Sequence, residues 1–319
     1  MLLRYAVCCC CSLLLHAFAQ MMGYVDLNCD DFFYIFSVLV FSYALTYLCS
    51  PHTKDGEIWP AFQRSKIWKS VFDYLLGDYS IETEGDLNNN KNYIFTSFPH
   101  GTMSANHMLT MTDCCGMMSN VHSGERRDLA ASVLFYIPIV REILLFLGNV
   151  DASAATANRQ LKKGRSLLIF VGGEKEQLMT KPNEHKIYCA SRYGFIKLAL
   201  SHGVEIVPTY CYGENELYHV SDFAMPARQW LQKNFSIAIS LCWGRGFLWL
   251  SPLPLKSKMK FHFGKPIPVP EKFKKKNTTD TLCKPSREEI IAHHEIFVGE
   301  MRRLFDRTKP EPELKLFFL

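Results

Sequence analysis

The 319-residue chain has no GxSxG nucleophile elbow, no Walker loop and no GxGxxG turn after a strand. Serine-hydrolase, P-loop and dinucleotide chemistry therefore have no local signature here. A strong charge of either sign is also missing. The 36 Lys and Arg stand against 31 Asp and Glu, and the surplus of +5 is dispersed. That is too little for nucleic acid, although it is compatible with an anionic membrane surface or an anionic cofactor. Paired cysteine spacing is absent as well. Four of the 12 Cys form the single run Cys8 to Cys11, and the others make no second CxxC. They read as reduced thiols of a cytosol-facing protein, Cys114-Cys115 included. His293-His294 sit side by side on a helical pattern, where neighbours point to different faces, so no metal site is expected. There is no internal repeat. With 48% hydrophobic and 21% charged residues, wholesale disorder is excluded.

What the chain does contain begins with apolar length. Phe32 to Cys49 runs 18 residues without a charge, the span a bilayer core demands of a helix. Residues 2–19 form a second apolar segment, weakened by Arg4 and His16. It reads either as a first membrane helix or as a cleaved signal ending at Ala17-Phe18-Ala19. The loop between the two carries Asp26, Asp30 and Asp31 and no cation, whereas Lys54, Arg64, Lys66 and Lys69 follow the second. The positive-inside rule then puts the bulk of the chain in the cytosol. Residues 1–51 are expected to form a membrane hairpin and residues 52–319 a cytosol-facing domain. That domain opens with an amphipathic, basic-faced helix over 59–76, of the type that lies on a membrane.

After Pro51 the texture alternates between strand and helix. Tyr93 to Phe95 reads as a strand leading into Phe98-Pro99-His100-Gly101, and 81–92 as a polar turn. Residues 130–148 read as strand, Pro138, then helix. Leu167 to Val171 is a buried strand ended by Gly172-Gly173. Residues 192–201 read as a helix stopped by Gly203, and Glu205 to Tyr212 as another strand. A last helix begins at Ser286 with Glu289 completing a capping box. The pattern predicts an α/β core.

Two residue sets could carry chemistry. His100 follows a strand and is fixed between Pro99 and Gly101, where a neutral imidazole is suited to take a proton from an alcohol. It could equally be a structural turn histidine. Glu174 and Glu176 follow another strand through Gly172-Gly173, at the strand end where α/β sheets place their sites. A carboxylate meeting the histidine there could hold its tautomer.

Four blocks in register carry a family likeness. They are Tyr93 to Gly101, Val171 to Glu176, Arg192 to Ala199, and Ile206 to Pro208 with Tyr212 to Glu216. In this order and spacing the chain resembles the type-2 diacylglycerol acyltransferase family, which includes monoacylglycerol and wax alcohol acyltransferases. The likeness runs over nearly the whole chain. It implies a glycerolipid-acyltransferase-like mixed sheet flanked by helices, and a membrane enzyme that moves an acyl group from acyl-CoA to the hydroxyl of diacylglycerol. Monoacylglycerol or a long-chain alcohol are alternative acceptors, and a catalytically silent lipid-binding relative is the alternative of another class. By the same likeness, His100 matches the second histidine of the HPHG motif and would be the general base, with Glu176 as orienting or acceptor-binding group. Phe98, Pro99, Gly101, Gly172, Gly173, Glu174 and Glu214 would line the substrate site, with the Gly101 or Gly172-Gly173 backbone near the oxyanion. Arg192 and Lys197 would meet CoA phosphates. Phe98 stands where the motif has its first histidine, which makes the site drier. The resemblance implies no metal and no resident cofactor, since acyl-CoA is a co-substrate. It implies an endoplasmic reticulum membrane location with lipid droplets as a second site, no nucleic-acid partner, and leaves a homo-oligomer open.

Overall fold

The computed structural model describes residues 29–48, 52–235, 237–246, 253–274 and 282–319. The chain divides into two units, Met1–His52 and Thr53–Leu319. In the first, the described part is a helix, Cys29–Leu48, of 20 residues, about 30 Å long at 1.5 Å per residue. Tyr34, Phe36, Val40, Phe41 and Leu45 are exposed along it. Among the described residues no helix is long and apolar enough to cross a membrane. The first apolar segment, residues 2–19, lies outside the described residues.

The second unit is built on a sheet of seven strands. In chain order they are β1 (Tyr79–Thr83), β2 (Tyr93–Phe98), β3 (Arg126–Ala130), β4 (Asn149–Asp151), β5 (Ser166–Phe170), β6 (Glu205–Tyr212) and β7 (Met259–Phe263). Across the sheet the order is β1-β7-β6-β2-β5-β3-β4. The five strands from β6 to β4 are mutually parallel, and β7 is antiparallel to β6. The expected mixed α/β sheet is present.

Alternation along β2 sorts its side chains into two cores. Ile94 and Phe98 join Leu161, Ile196, Leu200, Phe297 and Phe305 on one face. That face is covered by helices Ala154–Lys162, Gly194–His202 and Arg287–Thr308. Tyr93 and Phe95 join Phe72, Leu109, Met117 and Phe261 on the other. Helix ends follow their local chemistry. Gly203 adopts φ +66° to stop its helix, and the Ser286–Glu289 capping box opens the last one.

Three sequence expectations differ from the structure, and the first is the strand read before Pro138: only Ala130 belongs to β3, and Ser132–Tyr136 is a 3₁₀ turn ahead of the expected helix, Val140–Phe146. Residues 59–76 are not one helix but two, Pro60–Gln63 and Lys66–Leu75. Ser65 breaks the run by accepting the Ile67 N–H and capping a new helix. The second helix turns Phe72 into the protein core, so only Ile67 and Tyr74 remain as exposed apolar residues on it. The expected turn over 81–92 begins inside an edge strand, because Ile81 to Thr83 pair with Phe261 to Phe263. Strand β3 was hidden by its charges. Arg126 and Asp128 satisfy each other at 2.6 Å inside the sheet, so a charged stretch with no apolar-run signal packs as strand.

Candidate active site

Three adjacent parallel strands, β5, β2 and β6, end at the same edge of the sheet, β6 running two residues further, to Tyr212. Ser97 of β2 pairs with Phe170 of β5, and Phe98 with Tyr210 of β6. Their following loops therefore meet at one edge of the sheet: Val171-Gly172-Gly173 from β5, Pro99-His100-Gly101 from β2, and Gly213-Glu214 from β6. This is the carboxyl-end edge at which parallel sheets form their crevices.

His100 stands half-buried at the centre of that edge. Its Nδ1 lies 3.0 Å from the Gly101 carbonyl and 3.0 Å from Ser104 Oγ. A carbonyl can only accept, so the proton resides on Nδ1 and Nε2 keeps its lone pair. Ser104 donates its own hydroxyl proton to the His100 carbonyl at 2.9 Å, which leaves its oxygen free to accept from Nδ1 as well. Burial pushes the imidazole down to about 4, so it is neutral near pH 7. The Phe170 ring meets it edge-on at 5.5 Å.

Glu176 does not touch that ring. Its carboxylate is buried and accepts the backbone N–H of His100 on one oxygen and that of Tyr188, at 2.7 Å, on the other. The expectation that it fixes the imidazole tautomer is corrected. It fixes the backbone that carries the imidazole, while Gly101 and Ser104 fix the tautomer. Glu214 does the same from the β6 side, accepting Ala105 N–H at 3.1 Å and Asn106 N–H at 2.8 Å. With 2% of its surface exposed it has no edge left for a substrate, so its expected substrate contact is corrected to a holding role. Burial pushes Glu176 up to about 7 and Glu214 up to about 8, against the backbone donors that favour ionisation.

The motif glycines make room for these carboxylates. A Cβ on Gly101, at φ +69°, would sit 2.2 Å from Glu214 Oε1. One on Gly172 would sit 2.0 Å from Glu176 Oε2. Gly173, at φ +54°, faces open space. Pro99 is buried and its carbonyl accepts from Asn106 Nδ2 at 2.7 Å.

Phe98 faces away from this edge. Its ring is fully buried in the core and its centroid lies 6.4 Å from that of Phe297. The expectation that it lines and dries the substrate site is corrected, because strand alternation sends it to the opposite face from Ser97.

The cationic residues separate. Lys197 is exposed on helix Gly194–His202. Arg192 lies over the Tyr188 ring at 5.2 Å, with Nη2 3.5 Å from the Gly172 carbonyl and a buried Nε that has no hydrogen-bond partner among the described residues. Lys175, not singled out from sequence, covers the same ring at 5.1 Å and donates to its hydroxyl at 3.2 Å. Together they bring two cations to the Gly172 turn. Glu174 is half-buried there, and burial pushes its carboxyl up.

Sequence reading also missed Ser104 and His107. Ser104 sits at φ +52°, an unusual value for serine that no motif announces. The His107 ring lies tilted against Phe170, centroids 4.8 Å apart, and 3.6 Å from Asp128 Oδ2. Its position seven residues after His100 on a helix was the available signal. A cavity of about 770 Å³ lies elsewhere, lined by Glu84, His185, Tyr212, His262 and Arg307 among others. His100, Glu176 and Arg192 are not among its walls. Among the described residues no cluster of His, Cys, Asp and Glu could hold a metal ion.

A family model described as diacylglycerol acyltransferase matches residues 29–315. Bovine (Bos taurus) diacylglycerol O-acyltransferase 2 is 30% identical over 78% of this chain and 70% of its own length. Human (Homo sapiens) 2-acylglycerol O-acyltransferase 3 is 29% identical over 76% and 71%. Mouse (Mus musculus) acyl-CoA wax alcohol acyltransferase 2 is 26% identical over 80% and 77%. Among solved structures, the lysophosphatidate acyltransferase PlsC of Thermotoga maritima aligns over 93% of this chain and 90% of its own, with a TM-score of 0.45 and 15% identity. The chain belongs to the diacylglycerol acyltransferase family.

Proposed function

We propose that the chain is an acyl-CoA-dependent O-acyltransferase whose preferred acceptor is diacylglycerol, giving triacylglycerol. The observation that carries this reading is the state of His100. A neutral ring with its proton on Nδ1 presents the Nε2 lone pair at a sheet edge, on a backbone pinned by Glu176. Nε2 takes the acceptor hydroxyl proton while the oxygen attacks the thioester carbon. The C–O bond forms, the C–S bond breaks, and the leaving coenzyme A thiolate takes the proton back from the His100 imidazolium, which regenerates the neutral ring. The thioester is already activated, so a resident cofactor is not required by the reaction. The backbone around Gly101 or Gly172-Gly173 is the source of donors for the oxyanion. Arg192 and Lys175 supply positive charge for the phosphates of the donor, and exposed Lys197 on helix Gly194–His202 adds a third cation.

Relatives named for diacylglycerol, 2-acylglycerol and wax alcohol acceptors support a common reaction with different acceptor pockets. On this reading the apolar stretches 2–19 and 32–49 form the membrane hairpin. The catalytic unit faces the cytosol from the endoplasmic reticulum, with lipid droplets as a second location.

Membranes from cells expressing the full chain, given labelled acyl-CoA with diacylglycerol, monoacylglycerol or a fatty alcohol, test this. Labelled triacylglycerol should be the main product. A dominant wax ester or diacylglycerol would reassign the acceptor, and no product from any of the three would overturn the enzyme reading.

A further inference from the structure

We propose that the loop 131–139 seats on a lipid bilayer and brings the His100 edge of the sheet down to it. This inference rests on the acyl-transfer reading above and adds the surface through which a lipid acceptor arrives. The loop leaves the end of β3, two strands from β2 and at the same edge as His100. Residues 131–140, Ala-Ser-Val-Leu-Phe-Tyr-Ile-Pro-Ile-Val, contain no charge. The segment, a 3₁₀ turn over Ser132–Tyr136 followed by a short loop, turns large apolar groups to solvent: Tyr136 is 75% exposed and Ile139 71%, with Val133 and Ile137 beside them. Ile139 adopts φ +70°, a conformation a β-branched residue avoids. It is held there because Glu142 accepts the Ile139 N–H at 3.0 Å and pairs with the buried Arg141 at 2.9 Å. Strain that is held in place to expose an isoleucine marks a functional contact more often than a packing accident.

Beneath the loop lies one small core. It joins Met111, Ala130, Phe135, Leu144 and Leu145 to Phe62, Trp68 and Met108. Met108 and Met111 belong to the helix that directly follows the His100 loop, so the exposed patch and the base share one support. Met103, beside that helix, is also exposed.

Chemistry points to lipid as the occupant. Trp59 and Tyr136 offer amphipathic rings of the kind that settle at headgroup depth. Residues 59–76 carry exposed Lys66 and Arg64, the latter only 3.9 Å from Asp113, while Lys69 pairs with Asp73; the net positive charge of the stretch matches an anionic headgroup layer. A long-chain acceptor is itself dissolved in that layer.

The test uses the full chain in vesicles of phosphatidylcholine and an anionic phospholipid, phosphatidylserine, containing a brominated lipid. Tyr136→Trp adds a tryptophan at an exposed site, and its added fluorescence should be quenched by the bromine. An added signal that stays unquenched in vesicle-bound protein would overturn the proposal, whether the loop is bare or covered by a second copy of the chain. Ile137→Asp should leave thermal unfolding unchanged and cut transfer to bilayer-borne diacylglycerol about tenfold. Unaltered transfer would count against the proposal. The quenching needs no activity, so a silent wild type would sink the enzyme reading alone.

Discussion

Replacing His100 by alanine is expected to bring acyl transfer close to background, a fall of about 100- to 10,000-fold. The size follows from the proposed mechanism, in which the Nε2 lone pair at the edge where β5, β2 and β6 end takes the hydroxyl proton. Neighbouring groups are already committed. Ser104 gives its proton to the His100 carbonyl, and Glu176 and Glu214 accept backbone N–H groups. The same variant has a second, activity-free readout. Burial puts the folded imidazole at about 4, below its unfolded value near 6.5. Between those values the unfolded chain binds more protons, so the wild type loses stability as pH falls from about 6.5 to about 4. His100→Ala removes this contribution, and its unfolding temperature should decline less than that of the wild type over the same window. Retained turnover would deny the base, and parallel acid profiles would deny the buried neutral ring.

Glu176→Gln is expected to lower turnover by about 100-fold while leaving the KM for acyl-CoA nearly unchanged. The carboxylate accepts one N–H on each oxygen, whereas an amide has a single acceptor oxygen. Either the His100 or the Tyr188 N–H then faces an NH₂ group, at a cost of about 1–3 kcal/mol. If the His100 backbone moves, Nε2 moves with it. Glu174→Gln should matter less, because Glu174 is half-buried and away from the His100 backbone. Kinetics of the two variants in the same membranes check the ranking. A larger loss for Glu174→Gln would place the holding carboxylate on the wrong residue.

The sheet's middle was readable from sequence because β2, β5 and β6 are short apolar runs closed by glycine or proline. The edges were not. Edge strand β1 alternates exposed polar residues, and β3, one strand in from the β4 edge, hides a satisfied Arg126–Asp128 pair, so neither resembles an apolar run. The site was legible as a set of loops but not as a set of roles. Sequence position brings Glu176 and Glu214 to the strand ends. Only the register of three strands shows that both carboxylates hold backbone and that Gly101 and Gly172 are small to admit them. Phe98 misled for a simpler reason. Next to Pro99-His100 in sequence, it is sent by the pleat to the opposite core. The Lys175–Tyr188–Arg192 cluster was invisible because its aromatic centre lies between two motifs, in neither of them.

The most direct measurement is a structure of the full chain with diacylglycerol and an unreactive thioether analogue of acyl-CoA. The acceptor hydroxyl should lie within about 3.2 Å of His100 Nε2, with the donor phosphates toward Lys175 and Arg192. An acceptor seated instead in the cavity lined by His185, His262 and Arg307, with His100 untouched, would contradict the account.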